Sequence, residues 1–289
     1  MQQIENDFLK IQIVEKGAEL QSIFSKETNT EFLWNGDPKF WAKRSPVLFP
    51  IVGGLKNNSY TYEGKSYSMG RHGFARDMSF SISAQTLDSI EYTLVSNETT
   101  LDKYPFQFHF SVRYTLKEKR IIITYSVENK DVKEMLFSVG AHPAFKVPFA
   151  EETSFEDYYL LFNKKENAGR WPLSSDGLIE LQPEPFIKDT DKLPLKKELF
   201  YKDALVFKNL DSSAISIKSN KTEKYVTVSF DGFPYMGIWN AKDADFVCIE
   251  PWQGIADSVS ATGNLQEKEG IISLETGKTF EASWSIEVF

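Results

Sequence analysis

Apolar and polar residues alternate with a period of two along most of this chain, and no segment carries an amphipathic stripe of three or four helical turns. Within residues 106–127, Phe108, Phe110, Val112 and Tyr114 fall on one face. The turn-prone Lys117-Glu118-Lys119-Arg120 then leads into Ile121-Ile122-Ile123-Thr124-Tyr125, which predicts a hairpin. The same alternation predicts strands within 80–84, 90–95, 215–217, 225–230, 246–249 and 280–289, with Asn-Asn, Asp-Gly and Thr-Gly pairs as turn chemistry between them. Short helices are predicted only at 38–42 and 195–201. Without longer ones there is no material for βαβ units or a dinucleotide fold. The expected fold is all-β, an antiparallel sandwich or barrel with few short helices. All 289 residues are read as one domain, because sandwiches of this length are commonly single. Residues 164–192, rich in Asn, Pro, Ser, Asp and Gly, read as an irregular loop excursion between strands.

Bulk properties exclude several functions. A formal net charge of −8 argues against a nucleic-acid partner, which wants a basic face. The single cysteine, Cys248, leaves no intramolecular disulfide and no cysteine cluster for zinc or iron–sulfur. No apolar run reaches the roughly 18 residues that span a membrane. The first ten residues carry Glu5 and Asp7 and no apolar stretch of the secretory kind, so the expected location is the cytoplasm. The oligomeric state, monomer or homodimer, is left open.

Candidate chemistry gathers around three frames. Two of the three histidines lie in Gly70-Arg71-His72-Gly73-Phe74-Ala75-Arg76 and Gly140-Ala141-His142-Pro143-Ala144-Phe145. Carboxylates lie among aromatic and small residues in Cys248-Ile249-Glu250-Pro251-Trp252-Gln253-Gly254-Ile255-Ala256-Asp257. Histidine titrates nearest neutral pH and a carboxylate is its usual proton-transfer partner, so these frames suggest acid–base chemistry on a neutral substrate. Glu250 before Pro251 reads as the end of a buried strand, 246–249, where a carboxylate is costly unless it is used. The blander reading of His142 is a turn histidine preceding a proline. Gly70 and Gly73 would let backbone approach a ligand closely beside His72. The planar fork of Arg76 suits hydroxyl or phosphate, though an exposed loop arginine is an equal reading. His109, inside the alternating strand, reads as structural. Two histidines and Glu250 could formally bind a metal, but no His-x-His and no neighbouring Glu accompanies either histidine, so no metal or other cofactor is expected.

Together with Arg44-Ser45-Pro46-Val47-Leu48-Phe49-Pro50-Ile51-Val52-Gly53 and Gly232-Phe233-Pro234-Tyr235-Met236-Gly237-Ile238-Trp239, these frames form five ordered blocks. In that order and spacing the chain resembles the galactose-mutarotase-like superfamily, most nearly the LacX-type branch of aldose 1-epimerase homologues. The resemblance implies a galactose mutarotase-like supersandwich, which selects the large antiparallel β-sandwich. It also implies an isomerase that interconverts the α and β anomers of a hexose, with His142 as general acid, Glu250 as general base, and no metal or redox cofactor. It makes His72 a second sugar-facing histidine and Asp203, in Tyr201-Lys202-Asp203-Ala204-Leu205, a sugar-binding carboxylate, although a plain solvated Asp is an equal reading. Trp252 is the preferred stacking residue, with Trp239, Phe74 and Phe145 as others. Asp257 is compatible with a supporting role behind the site or with capping a turn.

One departure concerns substrate identity: Gly53-Gly54 stands where many relatives read Gly-Arg. Between Trp41 and Arg76 there are six Lys or Arg against one acid, Glu63. Arg44, Arg71 and Arg76 are therefore candidates for a substrate phosphate, and a hexose-6-phosphate 1-epimerase is the first alternative. The second alternative is a carbohydrate-binding or sensing protein that keeps the cleft without turnover.

Overall fold

The alternation noted between 106 and 127 produces two ten-residue antiparallel strands, Phe108–Lys117 and Arg120–Asn129, registered with Phe110 opposite Val127 and Val112 opposite Tyr125. Phe108, Phe110, Val112, Tyr114 and Leu116 are buried together with Ile121, Ile123, Tyr125 and Val127, while the residues between them face outward. The computed structural model describes residues 1–289, and this hairpin lies within a nine-stranded antiparallel sheet. In spatial order its strands are Thr190–Pro194, Tyr158–Glu166, Ala214–Ser219, Thr222–Ser229, Thr279–Val288, Arg120–Asn129, Phe108–Lys117, Ser89–Val95 and Ser81–Gln85. Every predicted strand except 246–249 belongs to it. The N-terminal Gln2–Glu5, Leu9–Ile13, Leu20–Ser25 and Thr30–Glu31 form a separate antiparallel sheet.

A six-stranded sheet carries the functional frames. Its strands are β1 (Val47–Leu48), β2 (Val139–Ala141), β3 (Ala144–Lys146), β4 (Leu205–Lys208), β5 (Tyr235–Trp239) and β6 (Phe246–Gln253). The order is β4-β5-β6-β2-β1, with β3 also paired to β6. On one side β6 is therefore met by two strands in succession: β2 opposite Gln253 and Trp252, then β3 opposite Cys248, Val247 and Phe246. The residues between β2 and β3 are His142 and Pro143, and opposite them β6 has no partner on this side. Pro251, which has no N–H to give a ladder, falls within that gap.

Alternation along β6 decides what faces the site. Val247 and Ile249 join the main core, which includes residues of both large sheets, whereas Phe246, Cys248 and Trp252 belong to small satellite clusters on the other face, where Glu250 also lies. Phe49, the residue after β1, holds the sheets together: its ring stacks on Phe110 at 4.4 Å and meets Phe108 edge-on at 5.0 Å.

Helix is scarce. A 3₁₀ turn, Lys197–Phe200, falls inside the predicted 195–201, whereas 38–42 forms only a turn. The one α-helical turn, Glu98–Leu101, was not expected. Its reciprocal cap, Thr100 N–H to Asn97 Oδ1 at 3.1 Å and Asn97 N–H to Thr100 Oγ1 at 2.8 Å, explains how so short a helix holds. The 164–192 excursion is mostly irregular, pinned by a short pairing of Gly169–Arg170 with Glu184–Pro185. No helix is long and apolar enough to cross a membrane.

Candidate active site

The gap in the ladder beside β6 is where the chemistry assembles. Both His142 in the gap and Glu250 on β6 are buried, and His142 Nε2 lies 3.4 Å from Glu250 Oε2. Glu250 is thus not at a strand end, as its Pro251 suggested. The strand continues to Gln253, because the proline sits where one neighbour is already missing. Trp41 lies on the imidazole of His142, with centroids 4.8 Å apart and planes 26° from parallel, and Trp239 meets it edge-on at 5.5 Å.

His72 arrives from a loop anchored to the residue after β1. Phe74 and Ala75 both donate their N–H to Phe49 O at 3.1 Å, and Gly73, at φ +71°, lies so close that a Cβ there would come within 2.2 Å of that oxygen. The glycine is required for this approach, which is to the Phe49 backbone and not to a ligand as the motif suggested, and a Cβ on Gly70 would meet nothing within 4 Å. His72 donates its backbone N–H to Gly53 O at 2.8 Å, and the Gly53 N–H donates back to His72 Nδ1 at 3.1 Å. With Nδ1 accepting, the ring proton resides on Nε2, so His72 offers a donor. Its ring stands nearly perpendicular to that of His142, with centroids 5.6 Å apart.

These groups line a cavity of about 420 Å³, of the size that holds small-molecule ligands. Arg71, Arg76, Asp203, Trp239 and Trp252 line it as well, so most of the expected site residues come together. Arg71 Nη1 is 3.7 Å from Asp203 Oδ2, and its guanidinium rests against Gly177. Arg76 Nη2 donates to Arg71 O at 3.0 Å, bracing the His72 loop from within. The ring of Trp252 lies over Gly140 and Gly237 on the strands either side of β6.

Arg44 does not join them. Its guanidinium donates to Gln21 O and packs on Gly36, while its N–H donates to Glu19 Oε1 at 2.7 Å; the side chain ties loop to loop outside the cavity. Phe74 and Phe145 are core residues. His109 remains on its strand, 3.6 Å from Glu128. Gly53-Gly54, noted above for lacking the relatives' arginine, also line it; not anticipated were Trp41, Ala204, Val206 and Ala256, and Leu173, Gly177 and Ile179 from the 164–192 excursion. The last were hidden by composition, since that stretch reads as plain loop.

Burial dominates the electrostatics. It pushes the Glu250 carboxyl well above the usual carboxylate range, reinforced by the negative charge of Asp203. Burial pushes His142 down to about 3, with Arg76 and Arg71 adding to the effect, and holds His72 well below the usual histidine value, with His142 and the two arginines as further causes. Burial therefore favours neutral imidazoles and a protonated Glu250 carboxyl. A neutral pair and an ion pair hold the same number of protons, so the pair is one donor and one acceptor in either arrangement. His142, Cys248 and Glu250 also place one possible metal-ligand atom each within 4.8 Å of one another. Zinc bonds of about 2.0–2.3 Å would require that set to draw closer, and burial raises the Cys248 thiol well above its ordinary value, so the thiolate that zinc prefers is disfavoured.

Comparison with known proteins identifies the family and the fold. A family model described as aldose 1-epimerase matches residues 1–286. Protein LacX (chromosomal) of Lactococcus lactis subsp. lactis is 33% identical over 296 aligned positions covering 99% of this chain and 98% of the relative. Among solved structures, a galactose mutarotase related enzyme from Lactobacillus acidophilus superposes with a TM-score of 0.95 at 38% identity, covering 100% of this chain and 97% of that one. A galactose mutarotase-like protein from Lactobacillus casei does so with a TM-score of 0.94 at 31% identity over the full length of both.

Proposed function

The chain belongs to the aldose 1-epimerase family, and from that premise we propose that it interconverts the α and β anomers of a hexose, with His142 and Glu250 as its proton-transfer pair. The observation that carries the reading is the buried approach of His142 Nε2 to Glu250 Oε2, 3.4 Å, inside a cavity sized for one sugar. Ring opening moves one proton off the C1 hydroxyl and one onto the ring oxygen as the C1–O5 bond breaks and the C1 aldehyde forms. Rotation about C1–C2 presents the other face, and closure returns both protons. With Glu250 accepting the hydroxyl proton and His142 supplying the ring oxygen, the pair ends as it began, and no oxidant or co-reactant is consumed. A hydroxyl donating to Glu250 favours its ionised form and so moves the shared proton toward His142 before opening. Each such transfer contributes about 10²–10⁴-fold. His72 Nε2–H, Arg76 and Asp203 orient the sugar oxygens, and Trp252, Trp239 and Trp41 offer apolar faces to its carbons.

Saturation-transfer NMR of anomer exchange for galactose, glucose and their 6-phosphates tests this. Acceleration over buffer that is lost in Glu250→Gln and His142→Asn is expected. No acceleration across that panel overturns the enzymatic reading, and sugar binding unchanged in His142→Ala would then describe a carbohydrate-binding protein instead. The convergence of Arg71 and Arg76 on the cavity favours a second reading, a hexose-6-phosphate substrate. Arg44 gives it no support, and Arg71 is partly engaged by Asp203. A higher kcat/KM for the 6-phosphates than for the free sugars selects it.

A further inference from the structure

Behind the cavity lies an ion pair that the proton-transfer chemistry does not use. Lys268 Nζ is 2.9 Å from Asp257 Oδ1, and the two side chains are only 2% and 5% exposed. Burying both charges away from water is costly, and such a pair persists where its remaining bonds are satisfied. Here they are. Lys268 Nζ also donates to Ile255 O at 2.6 Å, and Asp257 Oδ2 accepts the Lys56 N–H at 3.0 Å. The Asp257 N–H donates to Gly54 O at 2.9 Å, and its carbonyl accepts the Ile179 N–H at 2.9 Å.

The pair anchors Asp257, whose backbone in turn bonds to Gly54 and to the loop bearing Ile179 and follows directly on Ala256, all of which line the cavity. Contact between Gly53 and Ala256 is intimate, since a Cβ on Gly53, at φ +72°, would come within 2.4 Å of Ala256 Cβ. Gly53 is also the residue whose N–H meets His72 Nδ1 and whose carbonyl takes the His72 N–H. The lysine reaches this place from the 3₁₀ turn Leu265–Glu267, whose buried Leu265 and Asn264 cap set its direction.

We propose that Lys268, through Asp257 and the Gly53-Gly54 backbone, is a positioning residue that fixes which nitrogen of His72 carries the proton and so sets the donor offered to the sugar. This rests on the functional reading above. A Gly53 N–H held in place keeps Nδ1 an acceptor; if it drifts, the imidazole is free to place its proton on either nitrogen, and the donor facing the ligand is lost in part of the population.

The test is the ring ¹⁵N spectrum of His72, with kcat and KM for anomer exchange, in Lys268→Met, Lys268→Arg and the shape-conserving Asp257→Asn. Wild type should show the Nε2–H tautomer alone. Lys268→Met should keep a cooperative melting transition, show both tautomers, and lose roughly 10- to 100-fold in kcat/KM as misplacement spreads to the site. Lys268→Arg, which retains the charge, should recover most of both. If Lys268→Met does not fold, Asp257→Asn reads the same tautomer signal. An unmixed Nε2–H tautomer in the folded variant overturns the proposal. Because that spectrum needs no turnover, a protein that exchanges no anomers would refute the functional reading while the tautomer still decides this one.

Discussion

Trp41 lies on one face of the His142 imidazole, whose Nε2 approaches Glu250. This contact limits the ring's rotation and keeps water from one of its faces. Trp41→Leu removes the plane while keeping an apolar side chain. Aromatic pairs contribute about 0.5–1.5 kcal/mol beyond their buried area, so a fall in kcat of roughly 2- to 12-fold is expected, with a smaller change in KM. Exchange kinetics across a range of sugar concentrations measure the split.

The pH profile of exchange should carry the mark of burial. The pair works while it holds one proton. On the acid side that state is lost only as His142 gains a second proton, which burial has moved down to about 3. On the alkaline side it is lost as Glu250 ionises, well above the ordinary carboxylate value. The acid limb should therefore appear only below about pH 4. An acid limb centred near 6.5, the ordinary histidine value, would contradict the assignment of His142.

Stability should respond to the same burial. A histidine whose folded value lies below its unfolded one binds more protons when unfolded, so its contribution is present above about pH 6.5 and lost progressively as pH falls toward the folded value. For His142 the window is 6.5 down to about 3, and at about 1.4 kcal/mol per unit its ceiling is roughly 5 kcal/mol. His72 acts in the same direction, whereas Glu250, whose folded value is raised, acts in the opposite one and offsets part of the effect above the ordinary glutamate value. His142→Gln should flatten the fall in melting temperature between pH 6.5 and 4, as thermal scans across that range will show.

Arg44 and Arg71 should separate cleanly. Arg44→Ala removes a charged donor from Gln21 O and loosens the contact with Gly36. It is expected to cost about 1–3 kcal/mol in denaturant unfolding and to leave the kcat of folded protein unchanged. Arg71→Met leaves the core intact but frees Asp203 and removes a cation from the cavity. Its KM should rise for any sugar bound there, and more steeply for a 6-phosphate if that is the substrate.

Much of this molecule was readable in its residues. Strict alternation fixed the faces of Phe108–Lys117 and Thr279–Val288, because each packs one side on a core and leaves the other in water. The motif frames brought His142, Glu250, His72, Arg71, Arg76, Asp203 and Trp252 to one cavity. What stayed hidden depends on partners distant in the chain. Glu250-Pro251 reads as a strand end until the gap at His142-Pro143 is seen beside it. Arg44 reads as a ligand until Gln21 and Gly36 claim it. Trp41 and Lys268 have no local pattern at all: one lies in an unremarkable turn, the other after a polar loop, and only the tertiary fold gives either a role.

The 164–192 excursion supplies Leu173, Gly177 and Ile179 to the cavity, whereas the acid–base pair comes from the sheet. The cavity is thus lined from two different kinds of backbone. Ladders above and below the gap hold the pair, while the excursion is tied back to the cavity wall by Ile179 N–H to Asp257 O and Trp171 N–H to Val206 O. On the proposed function, replacing the side chains of Leu173 and Ile179 should change which sugar is accepted while leaving His142 and Glu250 in place.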